Sequence, residues 1–146
     1  MNLSTGRGII LDQKSYGFNE YIPEIPCIRH EVTGFKTSSD VRECFNLILD
    51  YVAEKKQIHE NLGILFDIRS GKAVSGNDLK WIGTDWQPRV VGMGIRYIAM
   101  VIPNYPLAEL NAEVSSDDHD QDNHRLTKRF FCDHDAALSW LKEVLN

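Results

Sequence analysis

A run of acidic residues and histidines, Asp117 to His124, begins with the spacing of a calcium-binding loop. The first three ligand positions of an EF-hand loop are matched by Asp118, Asp120 and Asp122. The match then ends, because Asn123 stands where glycine is needed and Arg129 stands where a bidentate glutamate is needed. We therefore expect a solvated, mobile polar loop over residues 115–125, with an adventitious transition-metal site at its two histidines as the alternative.

Other motifs for catalysis or cofactor binding fail in the same way. Gly71-Lys72 lacks the earlier glycine and the following Ser or Thr of a phosphate-binding loop, and Gly92-Met93-Gly94 precedes a strand instead of following one. The chain has no G-x-S-x-G, no H-E-x-x-H and no cysteine pair with zinc spacing, and its five histidines suggest no catalytic triad. We expect a protein that is not an enzyme and has no cofactor and no metal site.

Polar residues at the ends of two predicted strands form the candidate regulatory or partner-binding site. Asp67 and Ser70 follow one strand, and Asn104 follows the next. Ligands and regulatory contacts gather beyond the carboxyl ends of strands in open α/β sheets. Ser75, with Asn77 close behind, lies at a predicted helix N-terminus, where a phosphate on the serine would meet backbone N–H groups. The alternative is that Ser75 only caps the helix.

The remaining residues of chemical interest are interpreted as packing residues. His30 lies on the apolar face of an alternating strand, so we expect a partly buried imidazole with its hydrogen bonds satisfied. We expect Trp81, Trp86, Trp140 and Tyr97 to belong to the core or to cover the sheet, and not to form a ligand platform.

Two apolar runs predict the centre of a sheet that is covered on both faces. Leu62–Ile68 and Ile95–Ile102 are apolar at consecutive positions, as central parallel strands are. A further strand from Cys27 to Phe35 alternates between apolar and polar residues, and Leu126–Cys132 reads as an edge strand. Within residues 1–25, we expect two edge strands that pair as an antiparallel hairpin.

Four helices are predicted between and after these strands. The first has Thr37, Ser38 and Ser39 as possible N-caps and ends near Lys56. The second begins at the Ser75-x-x-Asp78 capping box and stops at Pro88, the third has Pro106 at its first position, and the fourth is capped by Asp133. The order β-α-β-α-β-α-β-α predicts an α/β fold with a mixed, largely parallel sheet, an antiparallel N-terminal edge and four packed helices.

Length and composition fit a single domain over residues 1–146. The chain has 42% hydrophobic and 25% charged residues, which are ordinary globular values, and a net charge of −5, which argues against a nucleic-acid surface. No apolar run approaches the roughly 18 residues of a membrane span, so we expect no membrane insertion. Three scattered cysteines and the lack of a signal sequence predict reduced thiols in the cytoplasm.

Two segments, FKTSSDVRECFNLILDYV and LGILFDIRSGKAVSGNDLKWI, resemble the STAS family of sulfate transporter and anti-sigma-factor antagonist domains. The resemblance covers Cys27 to Asn146. Within the family, the chain resembles the bacterial stand-alone SpoIIAA-like proteins most. It implies a mixed sheet with helices on it, and protein–protein signalling without catalysis. Antagonists of the family carry a phosphorylatable serine in an Asp-Ser pair where the helix after the central strand begins. Here Val74 precedes Ser75, so the pair is incomplete and Ser75 or Ser70 is the candidate.

Two functions therefore remain open at the level of sequence. The first is a regulatory module that binds a protein partner, with a homodimer through an edge strand as a further expectation. The alternative is a domain that binds a small molecule, either a nucleotide or a lipid-like compound. An enclosed apolar pocket between a helix and the sheet would favour the alternative.

Overall fold

Six strands form one mixed sheet, and their order across the sheet is their order along the chain. The computed structural model describes residues 8–70, 74–103 and 126–146. The strands are β1 (Ile9–Lys14), β2 (Gly17–Ile22), β3 (Cys27–Val32), β4 (Gly63–Asp67), β5 (Tyr97–Val101) and β6 (Thr127–Phe131). β1, β2 and β3 pair antiparallel, whereas β3 to β6 pair parallel. The mixed sheet, its antiparallel N-terminal edge and the edge position of β6 are confirmed.

Three helices occur in the described residues, where the sequence predicted four. They are α1 (Ser38–Lys55), α2 (the consecutive segments Gly76–Trp81, Ile82–Trp86 and Gln87–Gly92) and α3 (His134–Leu145). The predicted helix that starts at Pro106 lies outside the described residues, as do Asn104 and the predicted polar loop over 115–125. No helix in the described part of the chain is long and apolar enough to cross a membrane.

Helix α1 begins where its capping residues predict. The Thr37 side chain accepts a hydrogen bond from the Asp40 backbone N–H at 3.1 Å, and the Asp40 carboxylate accepts one from the Thr37 N–H at 3.0 Å. This reciprocal pair satisfies two of the N–H groups that a helix start leaves without intrahelical partners. The buried side of the helix then recurs at three- and four-residue steps: Val41, Cys44, Ile48, Leu49 and Val52.

The prediction that α2 stops at Pro88 is wrong. The helix continues to Gly92 because Ile82–Trp86 forms a π-turn, in which the Gln87 N–H bonds the Ile82 carbonyl five residues back. Pro88 then falls in the first turn of the final α-helical segment. Pro88 comes just after the π-turn, where the regular i→i−4 bonding of the helix is interrupted, so a residue without a backbone N–H is tolerated there.

The two faces of the parallel strands belong to two separate apolar clusters. On one face, Ile28, Ile64, Phe66 and Ile98 pack with residues of α1 and α2. On the other, Leu65, Ala99, Val101 and Phe131 pack with Ala137, Leu141 and Leu145 of α3. All five residues of β4 are buried, which confirms that this apolar run is covered on both sides.

Candidate functional site

A cavity of about 510 Å³ lies between the sheet and the helices α1 and α2. Its floor is formed by side chains of β4, β5 and β6, among them Phe66, Ile98, Met100 and Phe130. These residues occupy alternate positions that point to one side of the sheet. The cavity therefore sits on the face that α1 and α2 cover, towards the carboxyl ends of the parallel strands.

Aromatic side chains form the wall of the cavity nearest to α1. Phe45 stacks on Phe66 with 5.3 Å between ring centroids, and Trp86 meets Phe45 edge-on at 5.0 Å. The Trp86 indole N–H donates to the Phe45 carbonyl at 2.8 Å, so the polar atom of this buried ring is satisfied. Ile82 and Leu79 of α2 complete the apolar lining on the helix side. The expected packing role of Trp86 is confirmed, and the same ring lines the cavity.

The polar side chains of the described cavity lining are either positively charged or neutral. Lys36, Lys128, His30 and Gln87 contribute to its lining, and no Asp or Glu is found among the described lining residues. This contrasts with the chain as a whole, whose net charge is −5. The cavity therefore suits an apolar molecule that is neutral or negatively charged better than a cation.

His30 is the most buried polar residue of the cavity, with 1% of its surface exposed. One ring nitrogen, Nδ1, lies 3.0 Å from the Asn19 amide oxygen, and the other, Nε2, lies 2.9 Å from Lys36 Nζ. Burial and the nearby ammonium of Lys36 lower the pKa of the imidazole to about 3. His30 is thus neutral at physiological pH, with Nδ1–H donating to Asn19 and Nε2 accepting from Lys36. The expected buried and satisfied histidine is confirmed.

A chain of hydrogen bonds continues from His30 to the first two strands and to α1. Asn19 donates to the Asp12 carboxylate at 2.9 Å, and the Tyr51 hydroxyl donates to the same oxygen at 2.6 Å. These bonds fix the Asn19 amide, which in turn fixes the imidazole and its tautomer. The orientation of His30 towards Lys36 is therefore set by residues outside the cavity.

Lys36 lies in the loop between β3 and α1, one residue before the cap Thr37. Its ammonium is 5.5 Å from the ring centre of Tyr16 and 5.8 Å from that of Phe45, both within range of a cation–π interaction. Burial lowers the pKa of Lys36, although the nearby Cys44 and Asp40 oppose this effect. The side chain is therefore held in a defined position at the cavity by His30 and two aromatic rings.

No protein-family model, no curated protein and no solved structure matches the chain. The chemistry of the side chains that line the cavity is therefore what indicates a function.

The candidate site residues predicted from the sequence do not lie together. Some are exposed around the start of α2, and Asp67 is buried on the opposite face of the sheet. Ser75 and Asn77 are exposed at the start of α2, Ser70 is exposed after β4, and Asp67 is buried at the end of β4. Asp67 does not point to the cavity, because it belongs to a charged cluster on the α3 side. Asn104 lies outside the described residues.

Ser75 caps α2, as the alternative interpretation held. Its hydroxyl accepts from the Asp78 N–H at 3.1 Å and donates to the Asp78 carboxylate at 2.8 Å. Ser38 of α1 donates to the same carboxylate oxygen at 2.8 Å, so Asp78 ties the two helices together. A phosphate on Ser75 would stand against this buried carboxylate, and the repulsion would offset the attraction of the helix N-terminus.

A buried cluster of charged residues lies on the opposite face of the sheet. Arg29 is fully buried and contacts three carboxylates: Glu20 at 3.3 Å, Asp67 at 3.3 Å, and Glu31. Its Nε donates to His134 Nε2 at 2.6 Å, which identifies that ring nitrogen as unprotonated. Burial and the Arg29 charge lower the pKa of His134.

The two most buried carboxylates of this cluster behave differently. Burial raises the pKa of Glu20, against the opposing effect of Arg29, and the Glu20 Oε2 atom has no hydrogen-bond partner among the described residues. Burial also acts to raise the pKa of Asp67, but hydrogen bonds from Arg69 at 3.0 and 2.7 Å outweigh it and lower the pKa. The cluster joins β2, β3, β4 and α3 without lining the cavity, and we interpret it as structural.

Lys36 is a cavity residue that the sequence analysis did not single out. It precedes a helix cap in a polar loop and belongs to no motif, so its position along the chain carried no signal. Only the strand alternation that places His30 on the apolar face pointed towards the right side of the sheet.

Proposed function

We propose that this protein binds a small, largely apolar molecule in the cavity between its sheet and the helices α1 and α2. The observation that carries the proposal is the cavity itself, about 510 Å³ in volume and walled by Phe45, Phe66 and Trp86. Pockets for small organic ligands typically measure about 300–1,000 Å³ and combine apolar walls with a few fixed polar groups. Of the two functions left open by the sequence, this geometry favours the small-molecule binder.

A neutral fluorescent probe, N-phenyl-1-naphthylamine, tests the proposal without involving charge. The probe brightens in apolar surroundings, and we expect saturable binding to the wild-type protein at one probe per chain. Met100→Trp places a large ring on the cavity floor, on a strand where aromatic residues are well tolerated. This variant should bind the probe at least about tenfold more weakly, because roughly 1.4 kcal/mol of lost contact is enough for that change.

The matched control is Leu138→Trp, which adds the same ring to α3 on the opposite face of the sheet. It should bind the probe as the wild type does, provided that circular dichroism shows both variants folded. Equal weakening by the two substitutions would indicate a general loss of packing, and no saturable binding to the wild type would refute the proposal.

A second candidate is the STAS-like regulatory module that binds a protein partner. The observation in its favour is Leu79, which is 58% exposed one turn after Ser75 in the helix that follows a central strand. Since Asp78 disfavours a phosphate on Ser75, we propose contact with a partner through Leu79 without phosphorylation.

Affinity capture with a charge-bearing variant tests this second candidate. Leu79→Arg should abolish capture of a partner that the wild type retains. The control Ile58→Arg, at a site that is 69% exposed beyond the end of α1, should not. Equal capture by wild type and Leu79→Arg would exclude this surface. The expected homodimer, through the edge strand β6 or through the N-terminal hairpin of β1 and β2, stays a prediction for sedimentation measurements.

A further inference from the structure

The charges around the cavity discriminate between ligand head groups. Lys36 and Lys128 are the charged residues of the described lining, and both are cationic. An anionic group bound there would gain charge-assisted hydrogen bonds, whereas a cationic group would be repelled on both sides. An aliphatic alcohol would gain only neutral hydrogen bonds, which contribute less.

Lys36 is the better placed of the two lysines to receive an anion. An ammonium has three N–H donors, and His30 accepts one of them at 2.9 Å. No carboxylate in the described part of the chain forms an ion pair with Lys36, whereas Lys14 and Lys55 pair with Glu43 and Glu54. Cys44 and Asp40 favour its charged form from nearby, but neither is a carboxylate in direct contact with the ammonium, and a ligand carboxylate would supply that contact.

The position of Lys36 also gives the ligand a direction. Lys36 contacts His30 on β3, and the apolar floor extends from there across β4 and β5 to Phe130 on β6. Four neighbouring strands span about 14 Å, at roughly 4.8 Å per spacing. A single apolar chain lying across the strands would fill this floor and bring one end to Lys36.

We propose that the ligand is a single-chain amphiphile whose carboxylate binds Lys36 and whose apolar chain lies over Phe66, Ile98 and Phe130. This inference rests on the proposed function and adds the ligand's class and its orientation. His30 is a positioning residue, because it holds the ammonium without facing the ligand's carboxylate as a donor. Its neutral imidazole has its only N–H bonded to Asn19.

Three probes with one chain length separate the head-group preference from simple cavity binding. Decanoate, decanol and decyltrimethylammonium are titrated below their micelle-forming concentrations, with displacement of N-phenyl-1-naphthylamine as the readout. The wild type should bind decanoate at least about tenfold more tightly than decanol, as a charge-assisted hydrogen bond of roughly 1.5–3 kcal/mol implies. Decyltrimethylammonium should bind most weakly of the three.

Variants of the two lysines then assign the preference to one residue. Lys36→Met should reduce decanoate affinity about tenfold or more while leaving decanol within about twofold, and Lys36→Arg should restore much of the preference. Lys128→Met and the exposed Lys142→Met should both keep the decanoate preference of the wild type.

The possible outcomes distinguish this inference from the proposed function. Equal affinities for decanoate and decanol, or a preference that survives Lys36→Met, would overturn the carboxylate site while cavity binding stands. If only Lys128→Met lost the preference for decanoate over decanol, the carboxylate would bind at Lys128 on β6, and the proposed orientation would be wrong. Failure of all three probes to displace the dye would contradict both proposals together.

Discussion

A single histidine connects the cavity to the framework that surrounds it. His30 accepts from Lys36 on the cavity side and donates to Asn19, which is in turn held by Asp12. The Cys44 thiol lies 3.4 Å from its Nε2, and burial raises the pKa of that thiol to about 11. His30 and Cys44 are therefore both neutral at physiological pH, which leaves Lys36 as the charge in this part of the cavity.

The neutrality of His30 predicts a loss of stability in acid. Its pKa is about 3 in the folded protein and about 6.5 when unfolded, so the unfolded state binds more protons between these values. The free energy of unfolding should therefore fall as the pH falls through this window. At 1.36 kcal/mol per pKa unit, the imidazole accounts for about 2 to 3 kcal/mol between pH 7.5 and 4.5.

His30→Gln isolates this contribution, because glutamine can both donate to Asn19 and accept from Lys36 without titrating. Urea unfolding at the two pH values should show a smaller acid-induced loss in the variant than in the wild type. The remaining pH dependence comes from groups such as His134 and Glu20, whose pKa values shift in opposite directions. An identical loss in both proteins would mean that His30 titrates normally.

At the scale of elements, α2 is the least regular of the described helices and supplies most of the helical lining of the cavity. Its π-turn carries Ile82, Gly83 and Trp86, all of which line the cavity. A π-turn inserts one extra residue into a helical turn, and such turns are frequent at functional sites. The helix thereby passes Pro88 and continues to Gly92 without ending at the cavity.

Two glycines at this helix should respond in opposite ways to alanine. At Gly83 a methyl group would meet no atom within 4 Å, so Gly83→Ala should raise the free energy of unfolding by about 0.5–1 kcal/mol through helix propensity. Gly94, just after α2, has φ +92°, and a methyl group there would lie 3.0 Å from Lys56 Nζ.

Gly94→Ala is the matched comparison and should lower the free energy of unfolding by about 1 kcal/mol or more, because L-residues are strained at positive φ. Chemical denaturation of the two variants beside the wild type measures both effects. Destabilisation by Gly83→Ala would show that the π-turn does not tolerate a side chain at that position.

At the scale of the whole molecule, charge is buried on one face of the sheet and a cavity opens on the other. The Arg29 cluster connects three strands to the N-terminus of α3, and the guanidinium also lies 5.5 Å from the Phe18 ring centre. A buried arginine is tolerated only where its donors are met by acceptors, as they are here. The cluster stabilises the carboxyl ends of β3 and β4, from which the loops beside the cavity depart.

Removal of the Arg29 guanidinium should lower the free energy of unfolding strongly. Arg29→Met leaves Glu20 and Asp67 buried without their shared partner, so we expect a loss of about 3–5 kcal/mol in the free energy of unfolding. The control is Arg89→Met, which removes exposed contacts with Asp85, Asn46 and the Trp81 ring and should cost less than about 1 kcal/mol. Urea denaturation at neutral pH checks both, and comparable losses would mean that the buried cluster contributes no more than a surface pair.

Local patterns in the sequence were enough to predict the order of the described strands and helices, the caps at Ser75 and Asp133, and the apolar environment of His30. For α1 they narrowed the cap to three residues, of which Thr37 is the one observed. These features depend on residues within about one helical turn or along one strand, where periodicity and capping act. The end of α2 was predicted wrongly. Pro88 is a usual signal for the end of a helix, and no residue pattern in the sequence indicated the π-turn that lets the helix continue past it.

The cavity and the charged cluster, in contrast, were decided by tertiary structure alone. Arg29 meets His134 across 105 positions of the chain, and Trp86 meets the Phe45 carbonyl across 41. Such contacts depend on how far each helix axis stands from the sheet and on which way its side chains then point. A pattern of apolar residues predicts that a helix covers the sheet, but the space left beneath it is fixed only when all the elements are packed together.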